Sequence, residues 1–226
     1  MSNVLIIGDT HCPCMLPGYI TFLRATYRKW KCNRVVHIGD IVDNCALSFH
    51  TKKPQQKNPL GEYSQAMKQI RKLVKAFPKA DLMLGNHDVL PYRWAQEVGI
   101  PEEMLRKFGE IFLLPKGWNV HYRYGQIVID GVIYQHGDRG KGGQRIAAFN
   151  NAKAEFNSVV QGHHHAQAGV EFCANLRNRV FGMQVGCGVD WEHHQQEYGV
   201  KYSGKPMIGC GIVLGGKTPI FEPMLL

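Results

Sequence analysis

Three short apolar runs, each closed by glycine, constrain this chain more than any other feature: "NVLIIG" at 3–8, "RVVHIG" at 34–39 and "DLMLG" at 81–85. Their hydrophobicity is continuous rather than alternating, which suits strands covered on both faces, as in a parallel sheet. Segments of helical period lie between them. In "PGYITFLRATYRKW", Pro17 opens the segment and Tyr19, Phe22, Leu23 and Tyr27 share a face. In "EYSQAMKQIRKLVKAF", Met67, Ile70, Leu73, Val74 and Phe77 do likewise before Pro78 stops the run. The alternation predicts βαβαβ and an α/β fold.

The later part changes character. "WNVHYRYGQIVIDGVIYQHG" predicts strands joined by tight turns at Tyr124–Gly125 and Asp130–Gly131. A helix is expected over 142–155, then a strand in "NSVVQG" and further strands near 168–173, 179–185, 207–214 and 219–222. No internal repeat, low-complexity tract or linker interrupts the chain, so one domain over 1–226 is expected. The segment "HTKKPQQKNPLG", 50–61, is polar, basic and broken by proline, and predicts a loop.

The residues at the end of each apolar run carry the chemistry. The first run leads into Asp9-Thr10-His11, the second into Asp40 and then Asp43, and the third into Asn86-His87-Asp88. "VIYQ" runs into His136-Gly137-Asp138, and "SVVQ" into Gly162-His163-His164-His165. In an open α/β sheet, the carboxyl ends of parallel strands border one crevice where sites are built. A Gly-Asp after a single strand is usually only a turn. Five strand ends carrying Asp, Asn or His are a different matter. Carboxylate, carboxamide and imidazole without thiolate suit Mn²⁺, Fe²⁺, Zn²⁺ or Ni²⁺, and clustered carboxylates tolerate one another best around a cation. Residues two apart in extended chain point the same way, so His163 and His165 are expected to face the crevice and His164 away from it.

Composition narrows the class. A chain of 226 residues holds one sizeable core. No apolar run approaches the ~20 residues of a membrane span, so no membrane partner is expected. "MSNVLIIGDTH" lacks a basic leader and a small-residue cleavage site, and reads as a first strand, with a cytoplasmic location expected. Seven cysteines without a spaced framework, Cys12 and Cys14 among them, are expected as reduced thiols. A formal net charge of +9 draws polyanions and suits a phosphate-bearing substrate.

The ordered set "GDTH" (8–11), "GDIVD" (39–43), "GNHD" (85–88), His136 in "YQHGD" and "GHHH" (162–165) resembles the calcineurin-like metallophosphoesterase superfamily. The resemblance implies two mixed β-sheets packed as a sandwich flanked by helices, in four layers. It implies a centre of two divalent transition-metal ions, with manganese expected and iron, zinc or nickel as alternatives. Asp9, His11 and His165 would hold one ion, Asn86, His136 and His163 the other, and Asp40 would bridge them. Such ions lie roughly 3.5–4 Å apart and deprotonate a shared water that attacks phosphorus in line. His87 matches the catalytic histidine that assists the leaving oxygen, and Asp43 the carboxylate that orients and charges it.

Departures from the family pattern bear on substrate. The protein Ser/Thr phosphatase branch carries arginine where this chain has Asn44 and Leu84. Without that guanidinium clamp a phosphodiester, nucleotide or nucleic acid, is favoured over a phosphoprotein. Phosphomonoesterase activity and a non-catalytic scaffold, a role some relatives have taken on, remain alternatives. "GDIVDNCALSFH" followed by "GCGVD" (186–190) also resembles small stand-alone phosphoesterases common in bacteriophages. Protein partners are left open.

Other residues are weighed individually. His50, Asn44 and Arg139 are candidate substrate contacts, as are Lys141 and Arg145. His37 reads as a core or supporting histidine, His121 carries no assignment, and His193 and His194 read as surface decoration. The scattered Tyr and Trp residues read as core rather than as a base-stacking platform.

Overall fold

A computed structural model describes residues 1–139, 146–193 and 204–225. Along the chain, β1 (Asn3–Ile7), α1 (Tyr19–Lys29), β2 (Arg34–His37), α2 (Pro59–Ala76) and β3 (Ala80–Met83) realise the expected alternation. Helices α3 (Leu90–Glu97) and α4 (Phe108–Ile111) then lead to β4 (Trp118–His121), β5 (Ile127–Ile129) and β6 (Val132–Gln135). Next come α5 (Ala147–Glu155), β7 (Ser158–Gln161), β8 (Ala168–Ala174), β9 (Arg179–Val185), β10 (Gly209–Leu214) and β11 (Thr218–Pro223).

Local chemistry sets these boundaries. Pro59 sits in the first turn of α2, where its missing N–H costs nothing, and the Asn58 side chain accepts from the Gly61 N–H at 2.9 Å. The helix buries Ala66, Met67, Ile70 and Leu73 and ends ahead of Pro78. Arg28 and Lys29 close α1 where cations suit the helix dipole. Asp130 and Gly131 both take positive φ, 49° and 79°, as the two-residue β5–β6 hairpin requires.

The strands form a six-stranded sheet, β11-β10-β1-β2-β3-β4, and a five-stranded sheet, β5-β6-β7-β9-β8. β1 to β4 run parallel, as do β6, β7 and β9, and antiparallel strands edge both sheets. The period of two divides each strand between two cores. Leu5, Ile7, Val35 and Leu82 pack with Leu23 of α1 and with Ile70 and Leu73 of α2. Their neighbours Val4, Ile6, Val36 and Met83 face Val132, Tyr134, Val160 and Met183 of the second sheet. Ile133 and Val159 pack outward with Ala152 of α5. The result is four layers, helix–sheet–sheet–helix. The continuous apolar runs are covered on both sides, each fully buried aliphatic side chain contributing about 1.5–3 kcal/mol.

Two sequence expectations need correction. Tyr124–Gly125 does turn the chain, with Gly125 N–H donating to the Tyr122 carbonyl at 2.9 Å, but it joins no hairpin. β4 pairs parallel with β3 in one sheet and β5 pairs with β6 in the other, so the turn is a crossing between layers. Turn chemistry fixes a bend; edge availability picks the partner. The aromatic residues are also not all core: Phe49, Trp94, Tyr122 and Tyr124 are 49%, 40%, 68% and 49% exposed. The helix expected from 142 is described from Ala147, and 140–145 lie outside the described residues.

Candidate metal centre

Parallel strands deliver the residues at their carboxyl ends to one edge of the sandwich. Asp9 and His11 follow β1, Asp40 and Asp43 follow β2, and Asn86 and His87 follow β3. The second sheet contributes His136 after β6 and His163 and His165 after β7. Backbone groups lock the two sheets together here. His136 Nδ1 donates to the Ile38 carbonyl at 3.0 Å, and His163 N–H donates to the Asp9 carboxylate at 3.0 Å.

Reaching this convergence requires unusual backbone. His11, Asp40 and His163 take φ of 43°, 47° and 69°, a left-handed region costly for residues with a Cβ. Strain of this kind clusters where side chains must be aimed. The glycines serve close approach. A Cβ on Gly85 would press into the Asp40 carboxylate and His136, and one on Gly162 into the Asp9 carboxylate.

Three groups of donors result among the described residues, each with its ligand atoms within 4.8 Å: Asp9, His11 and His165; Asp40, His136 and His163; and, between them, His11, Asp40 and His87. His165 Nε2 lies 3.1 Å from Asp9 Oδ2, and Asn86 Oδ1 lies 3.2 Å from His136 Nε2. Asp40 Oδ1 accepts the His87 N–H at 2.8 Å. Its Oδ2 faces His136 Nε2 at 3.3 Å and His11 Nε2 at 3.7 Å.

Hydrogen bonds fix the tautomers. His11 Nδ1 donates to Asp43 Oδ1 at 2.8 Å, and His136 Nδ1 to Ile38. Each ring therefore turns its Nε2 toward Asp40, where loss of the Nε2 proton would leave the lone pair by which imidazoles bind metal. His11 Nε2 is buried with no hydrogen-bond partner among the described residues, an orphan that a cation would satisfy. The oxygen and nitrogen donors and this orphaned atom fit divalent ions.

Electrostatics agree. Burial alone would raise the Asp40 pKa, but the surrounding imidazoles, His136 first, hold it well below the ordinary carboxylate value. Burial opposes charge on His136 too, yet Asp40 and Asp9 push its pKa up to about 10. Burial, reinforced by His136, takes His163 down to about 4.

His87 is partly open, its side chain 20% exposed, much as His165 is at 21%. Its Nδ1 donates to the backbone carbonyl of Asp43 at 2.6 Å, while the Asp43 carboxylate stands 3.6 Å away. Burial works against its charge, but Asp40 and Asp43 outweigh it and raise the pKa. Asp43 therefore serves both histidines: its carboxylate hydrogen-bonds His11 and acts on His87 by charge, while its carbonyl accepts the His87 hydrogen bond. His164 belongs to none of the donor groups and sits edge-on to His163 at 4.8 Å.

The candidate substrate contacts separate. His50 lines a cleft of about 270 Å³ together with Asp43, Lys52, Lys53 and His87. Asn44 spends its amide on the His87 carbonyl at 2.8 Å, so it braces that loop rather than facing the cleft. Arg139 is exposed, its carbonyl accepting from Asn151 at 3.3 Å. Lys141, Arg145 and His194 lie outside the described residues.

Supporting residues also fall into place. His37 is buried and accepts from the Gly39 N–H, with its other nitrogen 3.2 Å from Thr10 Oγ1. His121 pairs with Asp81 at 3.0 Å. His193 is not mere decoration: its Nδ1 is 3.2 Å from Cys14 Sγ.

Sequence reasoning missed two braces. Asp88 accepts from the Val42 and Gly85 N–H groups at 3.1 and 2.8 Å, tying two site loops together, and burial lifts its pKa to about 7. Gln135, Gln161 and Gln184 sit side by side across β6, β7 and β9 in a buried amide ladder, and Gln184 Nε2 donates to the Gly162 carbonyl. The signal was available in the shared glutamine closing "VIYQ" and "SVVQ".

No curated protein sequence matches the chain. Among solved structures, Yfce, a phosphoesterase from E. coli, is 12% identical with a TM-score of 0.45, covering 94% of this chain and 88% of that one. Vacuolar Protein Sorting 29 from Cryptosporidium parvum is 14% identical with a TM-score of 0.46, covering 95% and 86%. The nuclease MPE from Pseudomonas putida is 14% identical with a TM-score of 0.36, covering 98% and 87%. A family model for calcineurin-like phosphoesterases matches residues 2–177, the stretch that supplies every member of the donor cluster, and the chain belongs to that family.

Proposed function

We propose that the chain is a metal-dependent phosphoester hydrolase with a two-ion centre and a preference for phosphodiesters. Asp9, His11 and His165 would hold one ion, Asn86, His136 and His163 the other, with Asp40 shared. Divalent ions there would supply Lewis acidity toward the phosphoryl oxygens and acidify a water.

The chain's own residues do the rest. Asp43 and the Ile38 carbonyl hold two imidazoles by Nδ1, so that Nε2 of each faces Asp40 and would turn to a cation on losing its proton. His87, partly open at the mouth and raised in pKa, keeps a proton to give to the leaving oxygen. The observation that carries this reading is the convergence of two buried, tautomer-fixed Nε2 atoms on one Asp40 oxygen. The diester preference has separate support: Leu84 is buried and Asn44 is bonded to backbone, so neither position offers a cation to a monoester dianion.

The test is metal analysis of the purified protein, then turnover of p-nitrophenyl phosphate against bis-(p-nitrophenyl) phosphate with Mn²⁺ supplied. About two equivalents of metal and faster diester cleavage are expected. Faster monoester cleavage would overturn the preference, and bound metal without turnover of either would return the scaffold alternative.

A further inference from the structure

Beside the His87 cleft lies a surface that the hydrolytic reading does not use. Phe49 and Trp94 stack with ring centroids 4.8 Å apart and planes within 18°, yet remain 49% and 40% exposed. The Arg93 guanidinium lies 4.7 Å from the Phe49 ring centre. The pair is held in place, since Trp94 Nε1 donates to the Leu47 carbonyl at 2.6 Å.

This platform bridges two hollows. Ser48 and His50, the chain neighbours of Phe49, line the cleft that contains His87. Arg93, the neighbour of Trp94, lines a groove of about 670 Å³ with Tyr122, Arg123 and Tyr124. Glu102 and Glu103 also line it, against the cations Arg93, Arg106, Lys107 and Arg123. Arg123 covers Tyr124 at 4.5 Å and bonds Asp138 at 2.7 Å, so one wall of the groove is tied to the strand-end loop that carries His136.

Aromatic faces interleaved with cations, leading away from a phosphoester site, match one ligand chemistry. Unpaired bases stack on open rings while phosphates meet the cations, and neither needs a particular base sequence. Paired bases already spend their faces on each other. We propose that the site acts on single-stranded polynucleotide, with a base next to the scissile phosphate stacked on Phe49–Trp94 and the strand continuing into the Tyr122–Tyr124 groove. This rests on the phosphodiesterase reading above.

The test is binding by metal-free full-length protein, followed by fluorescence anisotropy. The probes are labelled oligothymidylate and oligouridylate and a duplex of the same length. At least one single strand should bind roughly tenfold more tightly than the duplex and quench tryptophan emission. Phe49→Ala and Phe49→Leu, the second keeping bulk without a π-face, should each weaken that binding about fivefold or more. Tyr124→Ala should act in the same direction. Duplex binding as tight as single strand, or unchanged binding by both Phe49 variants, overturns the proposal. Wild-type turnover of bis-(p-nitrophenyl) phosphate, which carries no nucleobase, tests the phosphodiesterase reading separately. Turnover with unchanged variant binding sinks the platform alone, while platform-dependent binding without turnover upholds the platform and sinks the catalytic reading.

Discussion

The Asp43 carboxylate accepts the Nδ1 hydrogen of His11 at 2.8 Å, and His87 bonds the carbonyl of that same residue at 2.6 Å. One residue therefore orients two imidazoles by different atoms. Replacing the carboxylate strikes His11 first. Asp43→Asn is expected to lower metal affinity about 10–100-fold, the usual consequence of losing the carboxylate behind a metal-binding imidazole. Competition with a fluorescent chelator reads this directly; wild-type affinity would show that Asp43 does not set the His11 ring.

His87 has its Nδ1 on backbone and a partly exposed ring, so its loss should spare the cluster. His87→Ala is expected to keep its metal and lose about 10²–10⁴ in turnover. Metal content beside kcat for a diester checks both halves. Full activity in the variant removes the proton-donor role.

Gly85 is constrained by space. An added Cβ would sit 2.6 Å from His136 Cε1 and closer still to the Asp40 carboxylate, neither of which can yield. Gly85→Ala should cost about 1–3 kcal/mol and most metal binding. Gly109→Ala is the control: its Cβ would meet Val120 at an ordinary 3.6 Å within α4, so stability should hold or rise slightly. Thermal melts of the two variants should diverge.

Asp81 accepts from His121, Arg34 and Asn119. Burial alone would raise its pKa, but these donors, His121 first, hold it below the ordinary 3.8. A carboxylate depressed in the folded state stabilises fully above its unfolded value and loses that stabilisation as pH falls through the lower folded one. Asp81→Asn should cost about 1 kcal/mol at neutral pH, discounted for the partly open Arg34. The gap from wild type should narrow as pH drops below the ordinary carboxylate value. Urea unfolding across pH measures it, and a gap that persists in acid would mean that the ionised carboxylate is not the stabilising group.

The strand ends were legible because period and glycine are local signals. Continuous apolar runs foretold β1, β2 and β3, and the residues after them foretold Asp9, Asp40 and Asn86 as neighbours. Spacing alone separated His163 and His165 from His164. The Tyr124–Gly125 turn misled because a bend does not name the strand that comes after it. Asn44 was read by position in a motif, yet its hydrogen bond goes to the His87 carbonyl; Asp43 raises the His87 pKa and also holds the His11 ring, a second role the motif did not name. The Phe49–Trp94 pair joins residues 45 apart in the chain, beyond the reach of any periodicity.

The amino-acid order determined the layers, the strand ends and the kinds of donor placed there, because side-chain hydrophobicity and backbone propensity act between near neighbours. Tertiary structure decided which nitrogen each histidine presents, which carboxylate holds which ring, and which aromatics stay open beside the cleft. Those outcomes depend on distances and burial between remote segments, and these exist only after the two sheets have packed.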